Sequence, residues 1–353
     1  MIITRTPLRI SFFGGGTDYP AWYNEHGGAV LATTINKYCY INCRYQPPFF
    51  ENRYRIAYRQ IELCRNVDEI QHPSVRGCLK YLGIQEGIEM VYAGDLPANS
   101  GLGSSSSFTV GLLNALYALQ GKMVSQADLA LRAIDLEQNV MHESVGSQDQ
   151  MMAAHGGFRV VTFGRDQITT LPVILGAERL NLLQNHLMMF YTGIRRFGAE
   201  IAKDKIQNMP KRSTELSRLR GQVDEALEIL TSGSDISDFG HMLHETWQLK
   251  RSLSDRISPP MVDELYDKAM AHGALGGKLL GAGGGGFLLF FVPPEHQKQV
   301  KAALHPIPHV PFRFDTHGTQ VIHFESKGHP IPDQEEWEPP ATGAGTLPLV
   351  SAN

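Results

Sequence analysis

Residues 96–108 read LPANSGLGSSSSF, a glycine- and serine-rich stretch between two regular patterns. The preceding IEMVYAGDLP is typical of a strand, and the following SFTVGLLNALYALQG predicts a helix that begins at about Ser104. A flexible linker has a similar composition, but it would not lead directly into a helix that must pack. Backbone N–H groups at a helix N-terminus attract anions, and glycines allow a phosphate to approach closely. The stretch therefore favours a phosphate-binding loop over a spacer.

Two common nucleotide-binding motifs do not fit this stretch. A Walker A loop needs a lysine directly after its last glycine, whereas serines follow here. The pair Gly277-Lys278 is followed by Leu279 and does not fit either. The dinucleotide fingerprint G-x-G-x-x-G fails because Ser106 stands at the third glycine position. P-loop NTPases and dinucleotide-binding proteins are therefore disfavoured.

The composition narrows the class of protein further. The 353 residues include 32 Lys plus Arg and 36 Asp plus Glu, a net charge of −4 that argues against nucleic acid as the main partner. The four cysteines form no CxxC pair, and no signal peptide or run of about 18 apolar residues is visible. We expect free thiols in a cytoplasmic protein with no membrane partner. A homodimer is compatible with the sequence.

Two more glycine-rich stretches have the same character. PLRISFFGGGTDYPAW puts Arg9 on a first strand and Gly16, Thr17 and Asp18 just beyond its end. GGKLLGAGGGGFLLFF puts four glycines before a strongly apolar strand. Each alone is compatible with a tight turn. Three such stretches indicate a functional role, because every glycine costs backbone entropy on folding.

An acidic segment, LEQNVMHESVGSQDQMMAAHGG, offers the titratable groups. Glu137 is predicted on a helix that runs from Ser125 to about His142, and Asp149 in the loop that follows. Asp149 is a candidate general base or metal partner, although a solvated loop acid is the common fate of a single aspartate.

The second half of the chain is predicted to be rich in helices. Four helical patterns lie between residues 196 and 273, followed by the strand after the glycines, a helix at EHQKQVKAALH and an edge hairpin or strand pair at PFRFDTHGTQVIHF. The tail at 327–353 is rich in proline, glycine and acid and is expected to be extended or disordered.

Together, in order and spacing, the three glycine-rich stretches resemble the three motifs of the GHMP kinases, over roughly residues 1 to 325. Within that family the chain is most similar to the bacterial D-glycero-D-manno-heptose 7-phosphate kinases, which share the TPLR start, the GGGTD turn and the QDQ triplet before Gly-Gly-Phe. The resemblance implies an α+β fold of two lobes with ATP and sugar in the cleft between them. The N-terminal lobe would span 1–180 and a ferredoxin-like C-terminal lobe 181–326.

The resemblance also implies roles for individual residues. Asp149 would be the base or orienting group at the acceptor hydroxyl, and Arg9 would stabilise the charge that develops during transfer. Mg²⁺ would be held by Ser105 and Glu137, with Ser104 or Ser106 as alternatives to Ser105. The ATP phosphates would be bound by Ser100, Gly101, Leu102, Gly103, Ser104, Ser105 and Ser106. The substrate would be bound by Gly16, Thr17, Asp18, Gly284 and Gly285.

The substrate is the open part of this interpretation. Galactokinases have Gly-Glu-His before Thr-Asp, whereas Gly14-Gly15-Gly16 stand here, which argues against galactose. A sugar phosphate needs a cationic partner for its second phosphate, and Arg196 opens a predicted helix in a suitable place, although a solvated helix start is an equal alternative. The expected reaction is phosphorylation of the anomeric hydroxyl of a heptose 7-phosphate. L-fucose or another hexose is the alternative substrate, and a non-catalytic sugar-binding protein is the alternative class.

Overall fold

The computed structural model describes residues 1–98, 100–194, 198–254 and 257–325. The strands of these residues are β1 (Ile2–Phe13), β2 (Gly28–Tyr45), β3 (Tyr54–Ala57), β4 (Ile61–Cys64), β5 (Ile88–Gly94), β6 (Phe158–Phe163), β7 (Ile168–Pro172), β8 (Leu187–Tyr191), β9 (Gly276–Leu279), β10 (Phe287–Phe291), β11 (Phe314–Asp315) and β12 (Gln320–Phe324). The α-helices are α1 (Pro20–His26), α2 (Pro73–Tyr81), α3 (Ser104–Leu119), α4 (Gln126–Asp135), α5 (Gln148–His155), α6 (Ala177–Asn185), α7 (Gly198–Asn208), α8 (Ser213–Thr231), α9 (Ser237–Ser252), α10 (Pro260–Ala271) and α11 (Gln297–Ala303).

The larger sheet is organised around the long strand β2. Within the described residues it has nine strands, with β12-β1-β2-β5-β3-β4 as its main order. The first half of β2 pairs with β6 and its second half with β5, while β1 follows the other edge of β2 antiparallel. One strand of 18 residues therefore joins the two ends of the sheet.

Strand β1 lies between the two lobes. From Ile2 to Arg5 its residues alternate between buried and half-buried, but from Thr6 to Phe13 every residue is buried. Helices α3 and α5 cover one side, and helices α8 and α9 of the second lobe also contact the strand. A strand covered on both faces is mostly apolar, and Leu8, Ile10, Phe12 and Phe13 provide this character, while Arg9 and Ser11 are polar exceptions.

The smaller sheet belongs to the second lobe. In the described part of the chain it has three antiparallel strands in the order β8-β10-β9. Every residue of β10 is buried, and Phe291 packs against Phe239 of α9. Helix α9 also packs on β9. This arrangement carries the glycine-rich turn between β9 and β10 toward the first lobe.

The two sheets with their helices confirm the predicted α+β fold of two lobes. Helix α3 begins at Ser104, as the sequence predicts, and the four helical patterns of the second half correspond to α7, α8, α9 and α10. The lobe boundary near residue 180 stays a prediction. The predicted tail at 327–353 lies outside the described residues.

The helix predicted from Ser125 to about His142 is confirmed almost to its end, because α4 ends at Asp135 and continues as a π-helical turn, Leu136–Val140. Two local predictions were wrong. Asp149 lies in the first turn of α5 and not in a loop; α5 shows little helical periodicity because it is buried on most sides. Strands β11 and β12 do not pair with each other, because β11 pairs with β2 and β12 with β1. These last strands therefore join the sheet of the first lobe, although the predicted C-terminal lobe included them.

None of the described helices combines the length and the apolar character needed to cross a bilayer.

Candidate active site

A cleft of about 600 Å³ lies where the two lobes meet. Four segments that are distant in sequence form its walls: the end of β1 with the following turn, the loop before α3, the segment that leads into α5, and the glycine-rich turn of the second lobe. The residues that line it include Arg9, Ser11, Gly16, Asp18, Gly101, Gly103, Ser104, Ser105, His142, Gly146, Gln148, Asp149, Lys203, Lys250, Lys278, Gly281 and Gly285.

Arg9 and Asp149 form a two-pronged ion pair at the centre of the cleft. Arg9 Nε donates to Asp149 Oδ1 and Arg9 Nη2 to Asp149 Oδ2, both at 2.8 Å. The Arg9 side chain is 6% exposed and that of Asp149 25% exposed. Such parallel charge-assisted bonds fix orientation as well as charge. The carboxylate is therefore held in one orientation with part of its surface open to the cleft.

Neighbouring polar groups extend this pair. Gln148 Nε2 donates to Asp149 Oδ1 at 3.0 Å, and Ser11 Oγ donates to Gln148 Oε1 at 2.6 Å. Strand β1 thus supplies both Arg9 and Ser11, which are two residues apart and project from the same face. The buried polar cluster leaves Asp149 little rotational freedom.

The loop before α3 is joined to the same arginine. Arg9 Nη1 donates to the Gly101 carbonyl at 2.7 Å, and the Arg9 backbone N–H donates to the Leu102 carbonyl at 3.0 Å. A Cβ on Gly103 would lie 3.2 Å from Asp149 Oδ2 and 3.3 Å from Arg9 Cγ. Glycine is favoured there by its φ of +75°, and any side chain would also require Asp149 or Arg9 to shift slightly.

The N-terminus of α3 opens into the cleft. Gly103 is its N-cap residue and has no side chain to satisfy the first N–H groups. Ser104 and Ser105 line the cleft in the first turn. Uncapped N–H groups at the start of a 16-residue helix form an anion-binding site. The loop can therefore hold phosphate oxygens beside Arg9.

Glu137 lies behind this loop and is 1% exposed. Its Oε2 accepts from Ser106 Oγ at 2.8 Å and from the Gln150 side-chain amide. Burial raises the pKa of Glu137 to about 7, against the lowering effect of the Ser106 and Gln150 donors. The Thr109 hydroxyl gives its hydrogen to the Ser105 carbonyl, and Oε1 of Glu137 has no hydrogen-bond partner. One oxygen of this buried carboxylate is therefore available to bind a cation.

This environment fits a magnesium ion. Serine hydroxyls and one carboxylate are hard oxygen donors of the kind that Mg²⁺ uses together with substrate phosphates. The buried Oε1 of Glu137 would gain a partner. Of the predicted pair, Ser105 lines the cleft, whereas the hydroxyl that contacts Glu137 is that of Ser106. Among the described residues there is no cluster of three or more His, Cys, Asp or Glu for a metal.

The turn after β1 holds Asp18 at the cleft. The Gly16 N–H donates to Asp18 Oδ1 at 2.9 Å, and the Asp18 carbonyl accepts from the Ser147 N–H at 2.8 Å. A Cβ on Gly146 would lie 2.0 Å from Asp18 Oδ2. The segment before α5 therefore closes directly over the Asp18 carboxylate, and both line one wall.

Several predicted residues lie behind the wall. Thr17 is fully buried, and its hydroxyl lies within hydrogen-bonding distance of the carbonyls of Gly14 and Ala29, so its side chain stabilises the turn. The Gly284 N–H donates to the Ile257 carbonyl at 2.8 Å, whereas Gly285 lines the cleft. The side chains of Ser100 and Leu102 are buried. Arg196 lies outside the described residues.

Sequence reasoning missed two groups of cleft residues. The first is the segment from His142 to Gly146, in which His142 has a φ of +56°, a conformation rare outside glycine. The second comprises the lysines of the second lobe: Lys250 is 5% exposed, Lys278 is 3% exposed, and Lys203 is exposed. Lys278 Nζ donates to the Phe12 carbonyl of β1 at 2.6 Å. Only the assembled fold brings these residues to the cleft.

Comparison with known proteins gives a consistent result. The family model for the GHMP kinases N terminal domain matches residues 73–157, and that for the GHMP kinases C terminal domain matches residues 224–307. The chain is 26% identical over 319 residues to a D-glycero-alpha-D-manno-heptose 7-phosphate kinase of Campylobacter jejuni, covering 86% of this chain and 93% of that protein.

Two further relatives extend this comparison. The chain is 27% identical over 328 residues to the L-fucokinase/L-fucose-1-P guanylyltransferase of Bacteroides fragilis, covering 79% of this chain and 33% of that longer protein. The crystal structure of a D-glycero-D-manno-heptose 1-phosphate kinase from Bacteroides thetaiotaomicron superposes with a TM-score of 0.75 at 22% identity, covering 92% of this chain and 100% of that one. This last similarity concerns the fold. With both family domains matched in order, the chain belongs to the GHMP kinase family.

Proposed function

We propose that this GHMP kinase transfers the γ-phosphoryl group of ATP to the anomeric hydroxyl of a sugar. The observation that carries the proposal is the contact of Arg9 with both Asp149 and the Gly101 carbonyl. One guanidinium joins a fixed carboxylate to a loop suited to phosphates. Phosphoryl transfer depends mainly on positioning and charge stabilisation, and this cleft offers both.

In the proposed reaction, the sugar hydroxyl lies against the exposed side of the Asp149 carboxylate. Its oxygen attacks the γ-phosphorus, its proton passes to Asp149, and ADP leaves. Arg9 stabilises the negative charge on the transferred group, and the N–H groups at the start of α3 bind phosphate oxygens. Mg²⁺, when bound, neutralises phosphate charge; Ser105 and Glu137 are its proposed ligands, with Ser106 orienting Glu137.

Asp18 is the proposed ligand for other sugar hydroxyls. Its Oδ1 is bonded to the Gly16 N–H, which fixes the carboxylate at the wall next to Gly146. Gly16 and Gly285 leave room for the substrate along the two sides of the cleft. Carboxylates held by backbone donors are suited to hydroxyl recognition, because their remaining lone pairs point in fixed directions.

We propose D-glycero-D-manno-heptose 7-phosphate as the sugar and the 1,7-bisphosphate as the product. The similarity to the Campylobacter jejuni kinase over most of both chains supports this choice. The second phosphate needs a cation, and Lys203 is an exposed cationic residue at the cleft wall. Arg196 remains a further candidate. The similarity to part of the L-fucokinase/L-fucose-1-P guanylyltransferase of Bacteroides fragilis favours L-fucose as the second candidate substrate.

The substrate is tested by an ADP-release screen over heptose 7-phosphate, unphosphorylated heptose, L-fucose, galactose and other hexoses. Turnover that requires the 7-phosphate supports the heptose assignment. Turnover with L-fucose alone supports the second candidate. If none of these sugars is phosphorylated, the proposal as a whole is contradicted.

The catalytic role of Asp149 is tested by Asp149→Asn. The variant retains the shape of the side chain but loses the proton acceptor, so kcat should fall by at least about 100-fold while ATP still binds. The control is Asp166→Asn on an exposed loop, which should keep full activity. An Asp149→Asn enzyme with normal kcat would exclude the proposed role.

A further inference from the structure

Lys250 of α9 is a buried cation at the base of the glycine-rich turn. Its Nζ donates to the Leu279 carbonyl at 3.0 Å and to the Gly281 carbonyl at 2.5 Å, and the residue is 5% exposed. Leu279 ends β9 and Gly281 begins the turn. One ammonium group therefore donates to two carbonyls at the point where β9 ends and the turn begins.

The turn held by Lys250 contacts the phosphate loop of the other lobe. A Cβ on Gly101 would lie 2.3 Å from the Leu280 carbonyl oxygen, and one on Gly281 would lie 2.4 Å from Gly101 Cα. Backbone therefore meets backbone, without a side chain between them. A shift of the turn is transmitted directly to Gly101, since close-packed atoms have no slack to absorb it.

From Gly101 the path continues to the reacting groups. The Gly101 carbonyl accepts from Arg9 Nη1 at 2.7 Å, and the other two nitrogens of the same guanidinium hold Asp149. A guanidinium is planar and rigid, so moving one of its bonds rotates the other two. Lys250 is thus connected to Asp149 through four successive contacts, by way of Gly281, Gly101 and Arg9, although it belongs to a different lobe.

We propose that Lys250 is a positioning residue for the Arg9–Asp149 pair, acting through Gly281 and Gly101. This inference rests on the proposed kinase function. Burying an ammonium is costly, and an apolar side chain would fill the same space at lower cost. The hydrogen bonds to the Leu279 and Gly281 carbonyls explain why a lysine is useful here. They fix the position of the turn relative to the phosphate loop, and this position determines the orientation of Arg9.

The kinetic test is Lys250→Met, which retains an unbranched chain and removes the donor. Because the reacting groups are misplaced rather than lost, kcat should fall by about 100-fold, while the KM values for ATP and sugar change little. In an Arg9→Met background the same substitution should cost almost nothing more, because the connection is already broken. Equal losses in both backgrounds, or a loss confined to KM, would overturn the proposal.

A second measurement needs no substrate and keeps the inference separate from the proposed function. Hydrogen exchange of the amides in 281–286 and 101–103 should be faster in Lys250→Met than in the wild type. The control is Val300→Ala at a buried position of α11, which should lower stability and leave exchange in these loops as in the wild type. Unchanged exchange in Lys250→Met overturns the positioning role. Faster exchange in a protein that phosphorylates no sugar supports that role and refutes the function.

Discussion

Gly101 and Gly281 meet backbone to backbone across the boundary between the lobes. Side chains at either position would overlap the other loop, at 2.3 Å from the Leu280 carbonyl oxygen and 2.4 Å from Gly101 Cα. The phosphate loop and the third glycine-rich stretch are therefore one structure in space, although 180 residues separate these two glycines in sequence. Their contact sets the distance between the lobes at the cleft.

The contact predicts a specific cost for Gly281→Ala. Gly281 has a φ of +77°, and a Cβ would also clash with Gly101, so the free energy of unfolding should fall by about 1–3 kcal/mol and kcat by about 100-fold. Gly233→Ala is the matched control, with a φ of +79° and no atom within 4 Å of the added Cβ. It should lose about 1 kcal/mol of stability and no activity. Equal kinetics in the two variants would refute the role of the contact.

Arg9→Lys is expected to lower kcat by about 100-fold although the charge is kept. A lysine ammonium cannot hold both Asp149 oxygens and the Gly101 carbonyl in one plane. Arg5→Lys on the same strand is the control, because Arg5 contacts Gln320 and the ring of Tyr38 away from the cleft. Steady-state kinetics of both variants provide the measurement. Comparable losses in the two would point to a general effect on β1.

Ser105 and Ser107 should behave differently when changed to alanine. Ser105 lines the cleft and is exposed, so Ser105→Ala should raise the Mg²⁺ concentration needed for half-maximal activity and leave stability unchanged. Ser107 is buried and donates to the Pro7 carbonyl at 2.9 Å, so Ser107→Ala should cost about 1 kcal/mol of stability. Magnesium titrations and thermal unfolding distinguish the two. A normal Mg²⁺ requirement in Ser105→Ala would move the assignment to Ser104 or Ser106.

His155, at the end of the helix that carries Asp149, predicts a loss of stability in acid. Burial, with a contribution from Arg159, lowers the pKa of His155 from 6.5 to about 4. As the pH falls below 6.5, His155 becomes protonated in the unfolded chain but stays neutral in the folded protein. The free energy of unfolding therefore decreases as the pH falls from 6.5 toward 4. Since the side chain is only partly buried, the expected loss is about 1 kcal/mol.

His155→Gln should remove this part of the acid dependence. The measurement is chemical unfolding of wild type and variant at pH values from 8 to about 4. His323→Gln, at an exposed position of β12, is the control and should follow the wild type. A variant at position 155 that loses stability in acid as steeply as the wild type would refute the prediction.

Much of the fold follows from local patterns. The helical start at Ser104, the buried strand after the four glycines and the helices of the second half depend on periodicity and on glycine and proline signals within a few residues. Helix α5 could not be predicted from such patterns, because it is short and covered on most sides, so its sequence has no amphipathic periodicity. The pairing of β12 with β1 also escaped, since it joins residues more than 300 positions apart.

The sequence by itself determined the chemical inventory: a phosphate loop without a Walker lysine, an arginine on the first strand, and an acid in the segment QDQ. Tertiary structure alone decided which of these groups meet. The fold brings Arg9, Asp149 and Gly101 within hydrogen-bonding distance of one another and places the Ser106 hydroxyl against Glu137. It buries Thr17 behind the cleft wall, and it places Lys250 and Lys278 of the second lobe in that wall. The physical reason is that glycines and charges mark candidates locally, whereas hydrogen bonds and close backbone contacts depend on how two lobes pack.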